Sequence, residues 1–459
     1  MAAFTPLERR AATSLSLVYA TRMMGLFLLL PVMSILGQDL TGATPLLIGL
    51  ALGVYGLFQA VLQIPFGLIS DRFGRKPVIY FGLLLLVVGS LVAAASDSIW
   101  GVIAGRALQG AGAISAAVMA LAADLSRDNQ RTKMMAIIGA SIGLSFIVSI
   151  MLGPALMTAV GLSGIFLVIA LSGIIGGLLV HFAVPEPQGG QQIHNRDFSV
   201  SIGQLGAIIA HPQLRRLDIG ILVLHLLITA TFVSVPLGLL QREIPVSEHW
   251  LVYLTACGAS LLIMVPLIGL SESGWGIRRV MTLSIVGLAI AEVLIGVVGA
   301  NWWSVVFTIT LFFGFLNVLE SMLPSLVSRI APVAARGSAM GVYSTSQFFG
   351  AFLGGVLGGW MVGQIGLQNA HLVLGGLCLI WLFAIRGLEE PARTSSYQIS
   401  LGPHSIHHNL EQKLREVPGV VDVSFMKDEP VAYLKINRKQ LDEEALQRCV
   451  SMSAATDST

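Results

Sequence analysis

Twelve apolar runs, each long enough to cross a bilayer as a helix, are strung along this chain as far as Arg386, and they leave few alternatives for its fold. A spanning helix needs about 20 consecutive, mostly apolar residues, because backbone donors and acceptors inside lipid must be paired within the segment. The runs fall near 13–37, 46–68, 77–96, 99–123, 134–158 and 162–184, and again near 215–240, 250–271, 280–299, 302–328, 338–362 and 368–386. Only 11% of the 459 residues are charged, against about 25% in soluble domains, so an all-α polytopic membrane protein is expected. The first run follows Arg9 and Arg10 and is too long for the h-region of a cleaved signal, so it reads as a retained helix.

The runs form two sets of six. Between them lies a polar stretch that includes Pro185-Glu186-Pro187-Gln188-Gly189-Gly190, which reads as a linker. Four regions follow: 1–184, a six-helix half; 185–214, the linker; 215–392, a second six-helix half; and 393–459, a soluble domain. Loops on one side of the bilayer carry seventeen Lys and Arg residues, and the other side carries Arg242 alone, which places both termini in the cytoplasm. The halves also echo each other. Pro31 and Pro65 have counterparts in Pro236 and Pro266, as expected of a transporter built from an internal repeat.

Between the second and third runs, Gly67-Leu68-Ile69-Ser70-Asp71-Arg72-Phe73-Gly74-Arg75-Lys76 packs a carboxylate, three cations and two glycines into ten residues. Topology alone would account for Arg72, Arg75 and Lys76, but not for Asp71, Gly67 or Gly74. The spacing resembles the signature loop of the major facilitator superfamily. That resemblance implies two six-helix halves around a central cavity, alternating access and gating by this loop, with Arg75 pairing an acid after the fourth helix, here Asp124. Asp71 is expected to dock at the start of the eleventh helix, where a helix N-terminus carries about half a positive charge. Gly269, Glu272, Gly274, Gly276, Arg278 and Arg279 read as a degraded second copy that has lost the register.

Two further stretches carry the resemblance. Arg106-Ala107-Leu108-Gln109-Gly110-Ala111-Gly112 is similar to the superfamily pattern whose arginine is associated with proton coupling. Gly139, Gly143 and Gly153-Pro154 resemble the glycine-rich segment of proton-driven antiporters, although glycines at this spacing also let any two membrane helices pack closely. Carried to function, the resemblance implies a proton-driven exporter of a small, drug-like molecule in a bacterial inner membrane, acting as a monomer without a bound cofactor. An importer coupled to protons, or a sensor signalling through its C-terminal domain, are the rival readings.

Enzyme chemistry finds no support, since neither a Ser/His/Asp set nor a phosphate-binding loop is present. A net charge of +2 gives no case for nucleic acid. Cys257, Cys378 and Cys449 are scattered, with no disulfide framework. Partners are thus expected to be a small-molecule substrate, protons and the lipid bilayer.

By the resemblance, the first, fourth, seventh and tenth helices line the cavity, and they offer Arg22, Gln109 and Asn317 as polar lining. That lining suits a lipophilic cation, an anion or a neutral amphiphile; Arg22 and Arg106 both fall near mid-membrane, which tilts the reading toward an anionic substrate or an acidic partner unless one of them is a structural pair with a helix C-terminus. His225 and Glu320 each lie nine residues from a flanking arginine, or about 13 Å from the cytoplasmic boundary. The two are expected to share or pass a proton between them, with a permanent salt bridge as the alternative, and the resemblance adds Arg106 to the residues of proton coupling. Asn317, one turn from Glu320, is expected to hydrogen-bond it. Glu292, on a helix outside the lining, reads as structural.

Beyond Arg393 the composition turns polar. Tyr397–Leu401, Val420–Phe425 and Val431–Ile436 read as strands and Ile406–Val417 and Gln440–Val450 as helices, the order of a small α+β ferredoxin-like domain lacking its last strand. Leu414-Arg415-Glu416-Val417-Pro418-Gly419-Val420 resembles a segment of heavy-metal-associated domains, but the cysteines of their metal loop are absent. His404, His407 and His408 crowd that loop. Without a thiolate or carboxylate to complete a site, no metal is expected there.

Overall fold

In a computed structural model the described residues are 4–186, 202–273, 275–332 and 335–390, with 395–400, 413–414, 416–425, 431–436, 441–442 and 445–446 in the C-terminal part. Contacts divide the chain into two compact units. One comprises Met1–Gly190, Asp218–Met322 and Tyr343–Arg386; the other comprises Gln191–Leu217, Leu323–Val342 and Gly387–Thr459.

The first unit holds most of the helical protein. Helix α1 (Pro6–Phe27) starts from a capping box in which Thr5 and Glu8 satisfy each other's backbone amides. It breaks around Pro31 before the short α2 (Met33–Leu36). Helices α3 (Pro45–Phe73), α4 (Arg75–Ala94), α5 (Ile99–Ala111) and α6 (Ser115–Asp124) follow, the last two forming one interrupted span. Helix α7 (Asp128–Phe182) folds at Gly161, whose φ of 66° ends one span and starts another. After α8 (Ile202–Ala210) come α9 (Pro212–Gln241), α10 (Val246–Glu272), α11 (Ile277–Val297) and α12 (Trp302–Ile330). Helix α13 (Arg336–Ile385) folds at Gly366 with φ 79°.

Nine spans among the described residues are long and apolar enough to cross a membrane, and two of these, reaching 50 residues each, are doubled at their glycine. Helix α1, with Glu8, Arg9, Arg10 and Arg22, stands outside that set, although with α2 it occupies the first expected run. Every apolar run therefore meets a helix, and Gly161 and Gly366 fall in the gaps expected between runs, whereas the breaks around Pro31 and between α5 and α6 lie inside single expected runs.

The backbone repeats where the side chains have diverged. Positive φ recurs in pairs about 200 residues apart: Gly42 with Glu243, Gly74 with Gly276, and Gly161 with Gly366. Gly276, at φ 90°, keeps the turn of Gly74, at φ 95°, even though the motif around it has lost its register.

In the second unit, β1 (Ser395–Ser400), β2 (Val420–Phe425) and β3 (Val431–Ile436) form an antiparallel sheet in the order β1-β3-β2. Alternation along β3 turns Ala432, Leu434 and Ile436 onto a core with Leu414, Val417, Val423 and Leu446. The first strand runs two residues earlier than the sequence suggests. Most of both expected helices, and His404, His407 and His408, lie outside the described residues.

Candidate functional site

The loop between α3 and α4 is tight because Gly74 adopts a conformation closed to most side chains. Helix α4 then starts at Arg75, whose guanidinium reaches back to Asp71, donates to Ser70 Oγ at 2.8 Å and meets Asp124 Oδ2 at 3.3 Å. Gly67 sets the approach of α3 to α6, since a Cβ there would lie 3.3 Å from that of Ala116. Lys76 Nζ joins the end of α7, at 2.6 Å from Glu186 and 3.0 Å from the Val184 carbonyl. Arg72 remains on the surface beside Phe73. The loop is thus a hub joining α3, α4, α6 and α7. Glu8, which sequence reasoning passed over, adds α1 to this end. Its carboxylate accepts from the Arg127 backbone at 3.0 Å and from the Arg127 guanidinium at 2.9 and 2.8 Å, and these bonds hold its pKa at about 2, against the ordinary 4.5.

The buried arginines of the first half donate to their own helices, with Arg22 Nε left unmatched. Arg106, 1% exposed, donates to Gly25 O at 3.1 Å, Ala51 O at 3.2 Å and Gln109 Oε1 at 2.8 Å, and it lies 4.8 Å from the Tyr55 ring. Arg22, fully buried, donates to Gly112 O and Gln59 Oε1. Gln109, also fully buried, passes the chain on to Ser90 at 2.8 Å. Arg22 and Gln109, expected to line the cavity, are therefore inside the packing of α1, α3, α4 and α5. A guanidinium far from water takes whatever carbonyls the helices leave open, and here those carbonyls were near enough.

The second half offers the opposite. His225 on α9 and Glu320 on α12 come to 3.8 Å, as the sequence suggested, but the residue between them is Gln347 of α13. Its amide nitrogen sits 2.8 Å from His225 Nε2 and 3.4 Å from Glu320 Oε1. With Nε2 accepting, neutral His225 carries its proton on Nδ1, facing Glu320. Nδ1 and Glu320 Oε2 are both buried without a hydrogen bond, so a small approach would join them. Asn317 does not reach Glu320. Its amide points to Ser260 of α10 at 3.4 Å. The same face holds Asp218, 8% exposed and two turns below His225 on α9, and Tyr343, one turn below Gln347 on α13. Those spacings, seven and four residues, were visible in the sequence as helical faces; their convergence was not.

Glu292 of α11 is fully buried and completely matched. Thr231 Oγ1 donates to it at 2.7 Å, His371 Nδ1 lies 2.7 Å from its other oxygen, and Ser234 lies 3.0 Å from His371 Nε2.

One end of the unit is shut. At the start of α3, Gly49, Gly53 and Gly56 press on Phe348, Phe352, Gly355 and Gly359 of α13 so closely that a Cβ at Gly53 would stand 2.6 Å from the Phe352 carbonyl oxygen. Phe27, Phe146, Phe232 and Phe313 add edge-to-face and tilted ring contacts between α1, α7, α9 and α12, with centroids 5.1–6.3 Å apart. Gly153, beside Pro154, packs on the break in α1, where a Cβ would come within 2.8 Å of the Leu28 carbonyl oxygen. Gly143 has open space before it and makes no such contact.

A family model described as the Major Facilitator Superfamily matches residues 15–270 and 218–420. The inner membrane transport protein YajR of Escherichia coli (strain K12) is 41% identical over 448 residues, covering 97% of this chain and 98% of that protein. The multidrug resistance protein MdtH of Enterobacter sp. (strain 638) is 24% identical over 392 residues, 83% of this chain and 94% of that protein. Among solved structures, a D-xylose-proton symporter superposes with a TM-score of 0.69 at 13% identity, over 84% of this chain and 99% of that one, a likeness of fold.

Proposed function

The chain belongs to the major facilitator superfamily, a multi-pass inner-membrane transporter rather than an enzyme, and from that premise we propose that it exports a small, drug-like molecule in exchange for protons. The observation that carries this reading is the His225–Gln347–Glu320 cluster. Two groups able to titrate, on different helices, keep unmet atoms facing each other. Protonation of Glu320 removes its attraction for His225 and deprotonation restores it, so the spacing of α9, α12 and α13 follows the proton. Arg106 contributes as a fixed cation that ties α1, α3 and α5 into one rigid body. The seam between α3 and α13 is shut at the end away from the signature loop, so on the loop side substrate reaches the cluster and protons leave it, and the distribution of basic residues supports a cytoplasmic assignment for that side and for both termini. The loop is the gate: Asp71, 39% exposed and held by Arg75, can change partners when the cavity switches sides.

Export rather than import is supported by the similarity to a multidrug resistance protein. The protein works as a monomer, needing no cofactor beyond the proton gradient. Its C-terminal part is a ferredoxin-like domain, a reading supported by β1 and β2 flanking an antiparallel β3. Expression in a host stripped of its efflux pumps tests the whole. The wild-type protein should raise the inhibitory concentration of at least one compound in a broad panel, and Glu320→Gln and Asp71→Asn should abolish this at equal membrane abundance. Increased sensitivity in place of resistance would reverse the direction, and resistance retained by Glu320→Gln would remove the proton role.

A further inference from the structure

The charges in this transporter's interior are divided by sign, and the division bears on what it carries. Arg106 spends its donors on backbone carbonyls and Gln109, and Arg22 donates to Gly112 O and Gln59 Oε1 and keeps a buried Nε unmatched, so both are enclosed by packing and leave little cationic surface for an anion to meet. On α9, α12 and α13 the balance is reversed. Asp218 is 8% exposed and has no hydrogen bond or ion pair among the described residues. Glu320 Oε2 is buried and unmatched, and the Tyr343 hydroxyl, on a side chain 3% exposed, has no partner either. Gln347 bridges His225 and Glu320, and Asp218 and Tyr343 lie two turns and one turn along the same helix faces from His225 and Gln347, so the three groups share one side of the packing. Uncharged polar groups surround them, Ser344, Thr345, Ser346 and Gln347 following Tyr343 on α13, while the other formal charges of the three helices stand toward the same ends, at Arg215, Arg216, Arg329 and Arg336.

Two carboxylates without a cationic partner, beside an aromatic ring, fit a ligand that brings positive charge and an apolar body. We propose that Asp218, Glu320 and Tyr343 form the binding site of a lipophilic monovalent organic cation. A divalent metal is the poorer fit. Such ions take about six oxygen ligands, and no group of three or more His, Cys, Asp or Glu residues able to hold one occurs among the described residues. His225, neutral with its Nδ1 proton toward Glu320, adds no competing charge. Depth orders the site. Asp218 and Tyr343 lie six and seven residues from the starts of their helices, and Glu320 ten from the end of its own, so a cation entering from the signature-loop end meets Asp218 first and Glu320 about 5 Å deeper.

The proposal rests on the transporter reading but not on the direction or coupling of transport. Equilibrium dialysis of the full-length protein in detergent, with no gradient, therefore tests it separately. The probes are tetraphenylphosphonium and tetraphenylborate, nearly identical in shape and opposite in charge. Saturable binding of tetraphenylphosphonium at one per chain is expected, with none of tetraphenylborate. Asp218→Asn and Glu320→Gln should each weaken the cation about tenfold or more, Tyr343→Phe a few-fold, and Asp218→Glu should restore most of the affinity. Thermal unfolding of each variant separates lost binding from lost fold, and if Asp218→Asn does not fold, Glu320→Gln carries the test. No saturable tetraphenylphosphonium binding, equal binding of tetraphenylborate, or wild-type affinity in either folded carboxylate variant overturns the site. Cation binding without proton-dependent resistance would instead preserve the site and overturn the proposed export.

Discussion

Glu292–His371 and Glu320–His225 are the same chemical pair in two settings, and the difference separates structure from chemistry. In the first pair the groups are 2.7 Å apart with side chains 0% and 4% exposed, and Thr231 and Ser234 take up further bonding positions. In the second they are 3.8 Å apart, 40% and 16% exposed, and each keeps an atom unmatched. In the closed network every member is already matched. An open one has somewhere to move.

The largest expected effect breaks the closed pair. Glu292→Ala leaves Thr231 and His371 buried without their acceptor, and loss of one partner from such a site costs about 3–5 kcal/mol. Thermal unfolding in detergent should show a large drop or no recoverable protein, whereas an unchanged midpoint would make Glu292 no more structural than Glu320.

Next comes the close seam between α3 and α13, which the proposed mechanism makes the shut end of the pathway. Gly355→Val places side-chain atoms where the Gly49 carbonyl now sits, so the seam cannot close. A cysteine introduced at the start of α3 should then react with an impermeant thiol reagent several-fold faster, and transport should fall in step. Unchanged labelling would show that the seam does not set the state.

Smaller in energy, though not in consequence, is the open pair itself. Glu320→Gln keeps an oxygen able to accept the weak bond from Gln347, so stability should change by less than about 1 kcal/mol while proton movement in proteoliposomes is lost. Equal losses of stability in Glu320→Gln and Glu292→Ala would erase the contrast between the pairs.

Glu8 is a third matched acid, placed at the aqueous end, and here the proton can be used as the reagent. Its folded pKa, about 2, lies below the ordinary 4.5, so its contribution is complete above pH 4.5 and fades as pH falls toward 2. The melting midpoint of Glu8→Gln should sit a few degrees below wild type at pH 7, and the gap should narrow between pH 4.5 and the lowest pH the detergent complex tolerates. A gap that stays constant with pH would mean that Glu8 acts through its capping hydrogen bonds and not its charge.

How much of this could be read beforehand follows from where each property resides. Helix positions and the loop Gly67–Lys76 are local, and a window of about 20 residues contains all that fixes them. The repeat was visible through Pro31, Pro65, Pro236 and Pro266, and the paired turns at Gly74 and Gly276 lie within it. His225 and Glu320 were legible because charge is rare and costly in such runs. Arg22 and Gln109 misled for the same reason: depth in a run says that a polar group must be satisfied, not by what. Asn317 was assigned to Glu320 by helical spacing, yet its amide found Ser260 of a neighbouring helix.

The sequence by itself thus determined that this chain enters the membrane, where it crosses, and which charges it carries in with it, since burial of apolar runs and the placement of loop cations depend on composition along the chain. Only the tertiary structure decided which of those charges remain unspent. Glu292 is satisfied by Thr231 and His371, and Asp218 is left open, because hydrogen-bond partners are chosen across helices that are distant in sequence, within a few ångströms that no periodicity records.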